Sequence, residues 1–417
     1  MNIAIVGAGI IGVSTAYELA TDGHRVTVFE RHASVAEGAS FANAGVLAPG
    51  YVTPLAAPGM PAKVLRYLLA RHAPVRVSLP LGRADLAWMR RWLKACNVKS
   101  YAANRARLQR LAFYSRHRLH EVAQRMDYDF ERSSGYMVLL RDERDQRLAQ
   151  PGLTVLRDQG VVFREISADE ARRMEPALNP STALAGAIHL PRDEVANCRQ
   201  FALILRDAAE RLGARFDFNT QVRALDATAS TTLHFEGDAA SRAFDAVVVC
   251  AGVQSAALLA PLGIALPLRP VYGYSISAHM PDPTRGPRSG VMDERYKVAI
   301  SRLGQRVRVA GSAEMGGTAD TLNERAIQTL HRVLDDWFPG AARLSSGLQT
   351  WKGARPMLPD GPPILGASGR PGLWLNLGHG SSGWALSCGS ARVLADLMAD
   401  RPPEIDVEGL SIQRLAH

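Results

Sequence analysis

The chain is short of cysteine. Its 417 residues hold four, Cys96, Cys198, Cys250 and Cys388. They lie far apart and make no C-x-x-C pair, which speaks against a disulfide framework and for a reducing compartment. Long apolar runs are also missing. The longest candidate, near 256–268, is cut by Pro261 and Pro267, and falls short of the ~18 residues a spanning helix needs. No leader is legible: residues 1–6, MNIAIV, already read as a strand entering a glycine loop, so a secretory signal is not expected. Hydrolase and metal signatures are absent too. There is no G-x-S-x-G elbow, no H-E-x-x-H and no carboxylate cluster at metal spacing, and the 11 histidines are scattered. A nucleophilic triad and a metal site are therefore not expected.

Lysine is scarce: 44 of the 49 cationic side chains are arginine. The charge is also uneven. Between Pro61 and His120 stand 14 Lys or Arg against one acid, Asp85, so 60 residues carry +13 of a net +9 and the other 357 sum to −4. Such an excess fits an anionic partner, namely a membrane surface, an acidic protein or nucleic acid. It equally fits a solvated pair of arginine-rich helices.

What is present is globular. With 47% hydrophobic and 21% charged residues, 36 Gly and 24 Pro, the chain is neither disordered, collagenous nor coiled-coil. Its length suggests two domains, or one with insertions, and a core that needs no covalent staples. Residues 1–30 read strand, turn, helix, strand. Residues 46–81, rich in Pro and Gly, read as a long loop with short helices. Leu86, Met89, Trp92, Leu93 and Cys96 recur at helical spacing, as do Leu108, Leu111, Ser115, Leu119 and Val122. Short strands follow at 135–140 and 161–163. A helix is expected at 198–212, strands at 215–218 and 245–250, alternating antiparallel strands at 266–278 and 296–310, and helices at 323–338 and 383–399. Parallel α/β pieces are thus interleaved with antiparallel ones. The expected fold is a Rossmann-like dinucleotide domain (1–80, 195–260 and 345–417) interleaved with a second domain on a mixed or antiparallel sheet (81–194 and 261–344).

Gly7-Ala8-Gly9-Ile10-Ile11-Gly12 is a G-x-G-x-x-G that follows a strand and opens a helix, the context the motif requires. Gly7 permits the turn, Gly9 the approach of a pyrophosphate and Gly12 close helix–strand packing. The helix N-terminus offers free N–H groups to phosphate. Glu30, with Arg31 beside it, ends the second strand where a ribose hydroxyl is accepted. The alternative is a tight turn without a ligand. Three features point to a flavin rather than a nicotinamide dinucleotide: the motif's place at the start of the chain, a later strand ending in Cys250-Ala251-Gly252, and Gly378-His379-Gly380-Ser381-Ser382-Gly383 ahead of a helix. Helix-end N–H groups stabilise the negative charge of a reduced isoalloxazine. His379 reads either as a general base or as a loop-packing residue.

These residues carry a family likeness. The chain resembles the flavin-dependent D-amino-acid oxidase superfamily, and within it the bacterial D-amino acid dehydrogenases. The matching stretches are GAGIIG (7–12), FANAGVLAPGY (41–51), LAAPGMPAKVLRYLLARHAP (55–74), YGYS (272–275), DERYKVAISR (293–302), WKGARPMLPDGPPILG (351–366) and LNLGHGSSGWALSCGS (375–390). The resemblance implies a two-domain flavoprotein with non-covalent FAD. It implies oxidation of D-amino acids to 2-oxo acids and ammonia by hydride transfer from Cα to flavin N5. Electrons would pass to a quinone or other respiratory acceptor, with the enzyme on the inner face of the cytoplasmic membrane. The loop of Ala42, Asn43, Ala44 and Gly45 would wrap the flavin, and Val222 would meet the adenine half. Related substrates stay open: cyclic D-imino acids such as D-proline or D-hydroxyproline, and glycine or sarcosine. A flavin module acting on tRNA is a further alternative, disfavoured because no nucleic-acid domain or aromatic stacking platform is legible.

The chemistry needs a carboxylate clamp more than acid–base machinery, because the flavin carries the redox step. A bidentate arginine is the natural clamp. Arg355, in Gly353-Ala354-Arg355-Pro356, matches the carboxylate-binding arginine of the superfamily; otherwise it is a surface residue before a proline turn. Tyr272 and Tyr274 share one strand face by period-two spacing and either contact the carboxylate or form a core pair. Tyr51 and Tyr296 are weaker candidates of the same type.

Overall fold

The computed structural model describes residues 1–67, 70–227, 231–237 and 240–415. A six-stranded sheet runs Ile364–Ala367, Leu373–Leu377, Ala246–Val249, Asn2–Val6, Arg25–Phe29, Arg215–Asp217. All neighbours are parallel except the first pair. Its central strands, NIAIV and AVVV, are apolar throughout because both faces are covered. Helices Ile10–Thr21, Cys198–Arg211, Gly383–Met398 and Val98–Met126 share the core on one face, with Ile3, Ile5, Val26 and Val28. On the other, Ala4, Val6, Val247 and Val249 meet Leu225, Leu233 and Phe235 of a three-stranded antiparallel sheet. Local chemistry sets the helix starts. The side chains of Asn97 and Asn197 accept from the backbone N–H of Ser100 and Gln200 at the two N-caps.

The second sheet has ten strands. Its main path is Gln349–Met357, Arg269–His279, Arg306–Gly316, Val298–Leu303, Gly290–Asp293, Ser133–Leu140, Gly186–Val195, Val46–Leu47, with Val75–Ser78 and Arg164–Ser167 attached. It is mixed: 290–293 runs parallel to 133–140, and 75–78 parallel to 306–316. Strand residues of one parity, among them Ile276, Val291, Ile300 and Val309, pack against helix Glu324–Trp337. The opposite parity, including Ser275, Ser301 and Arg308, turns toward the 42–44 loop.

Several elements differ from the sequence reading. Helix Val98–Met126 lies in the stretch 81–194 expected with the second sheet, yet buries Leu108, Leu111 and Leu119 in the core of the first. Strand Gln349–Met357 lies in the stretch 345–417 expected with the first sheet and pairs into the second. Residues 161–163 are irregular, and the strand falls one step later at Arg164–Ser167. Helix Arg83–Ala95 buries Trp88 and Trp92 and packs Met89 against the core, while Leu86 and Leu93 stay 56% and 52% exposed, so only part of the expected apolar stripe is the buried one. Indole area outweighs leucine area in choosing the face.

Candidate active site

A cavity of about 1030 Å³ is lined from both sheets. One end is the glycine loop. Gly7 has φ +102°, and a Cβ there would fall 2.8 Å from the Cys250 carbonyl oxygen. A Cβ on Gly12 would fall 1.8 Å from the Gly7 oxygen. Gly12 therefore clamps helix to loop and does not itself line the cavity, whereas Gly7, Gly9, Ile10 and Ile11 do. The Glu30 carboxylate accepts from the backbone N–H of Ala8 (2.7 Å) and His32 (3.0 Å). It lines the cavity together with Arg31, Val222, Cys250, Ala251 and Gly252.

The 42–45 loop is held by the second sheet, which the sequence did not reveal. Ser275 Oγ donates to the Ala42 carbonyl (2.7 Å), Arg308 Nη1 to that of Asn43 (3.2 Å) and Ser301 Oγ to that of Ala44 (2.7 Å). Gly45 closes the loop at φ +75°, its N–H donating to Asn43 Oδ1. All four loop residues line the cavity, as do Gly378, His379, Gly380, Ser381, Ser382 and Gly383. His379 is 3% exposed and its Nε2 lies 3.0 Å from Ser390 Oγ. Burial pushes its pKa down to about 3, so the ring is neutral.

Arg355 also lines the cavity. Its Nη1 donates to the Ser312 carbonyl at 2.7 Å, and among the described residues no carboxylate pairs with it. Burial drives its pKa down to about 10, which still leaves it charged at neutral pH. Strand pairing explains how it fits. Gly273 and Gly353 are cross-strand partners. A Cβ on Gly273 would fall 2.3 Å from the Arg355 guanidinium, and one on Gly353 would fall 1.7 Å from the Trp351 ring. The two glycines thus make a bare floor over which guanidinium and indole lie.

The tyrosines divide. Tyr272 and Tyr274 both line the cavity, but Arg355 stands opposite Val271, so alternation turns their rings to the sheet face opposite the guanidinium. There they join the cluster against helix Glu324–Trp337. The Tyr274 hydroxyl donates to Glu314, and the Lys352 ammonium lies 4.3 Å and 5.4 Å from the two ring centres. Tyr296 is not among the cavity-lining residues; it stacks edge-on to His72 with Arg141 and Arg332 against its ring. Tyr51 does line the cavity, beside Tyr136, Met292 and Trp351, which sequence reading missed. Tyr136 could have been found from the alternation of 133–140, and Trp351 from its period-two spacing to Arg355.

The cavity fits a dinucleotide followed by a small anion. Part of its wall is backbone that no Cβ could share, glycine-rich turns from both ends of the chain border it, and it holds a cation with no carboxylate partner among the described residues. Comparison with known proteins agrees. Residues 2–397 match the family described as FAD dependent oxidoreductase (DAO). The chain is 43% identical over 418 residues to a protein named D-amino acid dehydrogenase from Cereibacter sphaeroides, covering 100% of this chain and 96% of that one. It is 42% identical over 417 residues to another so named from Rhizorhabdus wittichii, covering 99% and 100%. Among solved structures, glycine oxidase from Geobacillus kaustophilus superposes with a TM-score of 0.75 at 25% identity, covering 99% and 98%. Iminodiacetate oxidase from Chelativorans gives 0.74 at 23% identity, covering 98% of each chain, and shows the same fold. The chain belongs to the DAO family of FAD-dependent oxidoreductases, with FAD as its cofactor.

Proposed function

We propose that the protein oxidises D-amino acids to 2-oxo acids and ammonia. The observation that carries this reading is the buried, carboxylate-free guanidinium of Arg355 on the wall of the dinucleotide cavity, together with full-length relatives named for that reaction. Bound FAD supplies a two-electron acceptor for the hydrogen of the substrate Cα. The chain does the rest. Gly7, Gly9 and Glu30 hold the dinucleotide's phosphate and ribose end, and the 42–45 and 378–383 turns hold its ring end. Arg355 binds the substrate carboxylate and thereby fixes where Cα stands. Trp351, Tyr136 and Met292 supply apolar wall for the substrate side chain and keep water out. His379, neutral and bonded to Ser390, acts in packing rather than as a base. Anaerobic mixing of the FAD-loaded protein with D- and L-amino acids, D-proline, glycine and sarcosine tests the reading. Bleaching of the flavin by D-amino acids is expected, and bleaching by L-isomers alone refutes it.

The electrons then pass to a quinone or similar acceptor at a membrane surface that the protein meets peripherally, on the inner face of the cytoplasmic membrane. No helix of the described residues is long and apolar enough to cross a membrane. Support for surface contact comes from the +13 stretch. Leu65, Leu79, Leu86, Leu93 and Val98 are all more than half exposed there. Leu86, Arg90 and Leu93 form an outward stripe on helix Arg83–Ala95, the pattern of an interfacial helix on anionic lipid. Helix Met60–Tyr67 buries no residue and contributes Met60, Lys63 and Tyr67 to the cavity rim. Leu68 and Leu69, within the same 61–120 stretch, lie outside the described residues. Flotation with phosphatidylserine vesicles should recover the protein at low salt and lose it after Leu86→Asp with Leu93→Asp. Absence of lipid binding, or a shift with RNA instead, sinks the surface assignment.

A further inference from the structure

Next to Arg355 stands a residue whose local structure is otherwise unexplained. Ser312 has φ +59°, in the left-handed region that disfavours side chains. It sits where the pairing of Arg269–His279 with Arg306–Gly316 slips, between Gly311, opposite Tyr274, and Glu314, opposite Tyr272. Such bulges re-aim a side chain. Ser312 is 5% exposed, lies on the cavity wall, and its hydroxyl has no hydrogen-bond partner among the described residues. A buried, unpaired hydroxyl costs about 1–3 kcal/mol, and left-handed strain adds to that. Both features occur in the residue whose carbonyl receives Arg355 Nη1.

We propose that Ser312 is a substrate-binding residue. Its left-handed backbone presents the carbonyl that fixes one nitrogen of Arg355, leaving the rest of the guanidinium for the carboxylate. Its hydroxyl, by rotation about χ1, donates a hydrogen bond to the same carboxylate. The ligand class is a small aliphatic or aromatic monocarboxylate. This rests on the reading of Arg355 as carboxylate clamp and adds a second donor to it. The bulge is thus a specificity device: an acid is recognised by one charge and one hydroxyl, whereas the corresponding amide cannot use the charge.

The test uses FAD-loaded protein and carboxylates that cannot be oxidised, acetate and benzoate, followed by perturbation of the flavin spectrum. The wild type should bind both, and Ser312→Ala and Ser312→Gly should each weaken binding about tenfold, the loss of one hydrogen bond to a charged acceptor. KM for the substrate should rise while kcat changes little. Ser312→Gly keeps the left-handed backbone at no strain, so it should melt no lower than the wild type, and it carries the test should Ser312→Ala fail to fold. Carboxylate affinity unchanged from wild type in both variants overturns the proposal. A loss in Ser312→Ala that Ser312→Gly does not share also overturns it, because the effect then belongs to backbone position and not to the hydroxyl. Failure of the wild type to bind any carboxylate would instead overturn the reading of Arg355.

Discussion

Replacing Arg355 by Met removes a charge and keeps most of the side-chain volume. If the guanidinium clamps the substrate carboxylate, the variant loses charge-assisted hydrogen bonds worth about 1.5–3 kcal/mol each. For two such bonds the loss in kcat/KM is roughly a hundredfold to twenty-thousandfold, at about 1.4 kcal/mol per factor of ten. Most of it should fall on KM, because the carboxylate is bound in ground and transition states alike. Stability should move the other way. Arg355 has one hydrogen bond, to the Ser312 carbonyl, and no carboxylate partner among the described residues. Its burial is therefore an uncompensated desolvation that methionine relieves, and the apoprotein should unfold at equal or higher denaturant. Gly273→Ala gives a second route to the same end. Its Cβ would fall 2.3 Å from the guanidinium, so the arginine must swing away with its charge intact. Its loss of kcat/KM should be non-additive with Arg355→Met. Steady-state assays with a soluble dye acceptor, beside urea unfolding, read both quantities. Unchanged kcat/KM in Arg355→Met, or a large loss of stability with unchanged KM, would falsify the clamp.

Gly12→Ala should abolish FAD binding, because its Cβ would sit 1.8 Å from the Gly7 oxygen, a backbone atom that cannot yield; the purified variant should be colourless, and a yellow one would contradict the loop geometry. Glu18, 1% exposed, accepts from Arg118 at 2.7 and 2.8 Å and from Arg392 at 2.9 Å. Glu18→Gln leaves two buried guanidinia short of charge and should cost about 3–5 kcal/mol in urea unfolding. Asp193 is 3% exposed, and burial pushes its pKa up to about 7, with Arg116 opposing and Glu194 reinforcing the rise. Its folded pKa lies above the unfolded value, so its contribution is fully present below about pH 4 and is lost as pH rises to about 7. The integrated change is up to about 4 kcal/mol by linkage. Asp193→Asn should flatten this part of the stability profile and raise stability at pH 8; an unaltered profile from pH 4 to 8 assigns the shift elsewhere.

The legible parts of the molecule were those set by short-range chemistry. The glycine loop, Glu30 and the apolar spacing of Leu108, Leu111, Leu119 and Val122 depend on neighbours a few residues away, and each stands in the structure as a helix start, strand end or buried face. What escaped depends on pairing between distant strands. Period-two spacing places Tyr272 and Tyr274 on one face but does not say which; the register against Gln349–Met357 decides it, and puts Arg355 on the other. The glycine pair 273 and 353 gains meaning only once those strands lie side by side. Helix Glu143–Asp158 was hidden by Pro151 and Gly152 within it, and by a moderate apolar face of Leu153 and Leu156.

Buried arginines separate structure from function here. Arg118 and Arg392 lie among Glu18, Glu121, Asp22 and Asp396, and their pKa values are raised by those partners. They staple helices Ile10–Thr21, Val98–Met126 and Gly383–Met398 to one another, and their charges are already answered. Arg355 and Arg308 are different. Both are pushed down to about 10 by burial, and among the described residues neither has a carboxylate. Arg355 reaches the Ser312 carbonyl, and Arg308 reaches Ser277 Oγ and the Asn43 carbonyl. Neutral acceptors of this kind leave much of a guanidinium's desolvation unrepaid. Both residues face the same side of the ten-stranded sheet, one on the cavity wall and one behind the 42–45 loop. A fold that pairs its structural arginines and leaves these two unanswered has placed positive potential along one wall, which suits the carboxylate proposed to bind there and the negative charge that a bound flavin would gain on reduction.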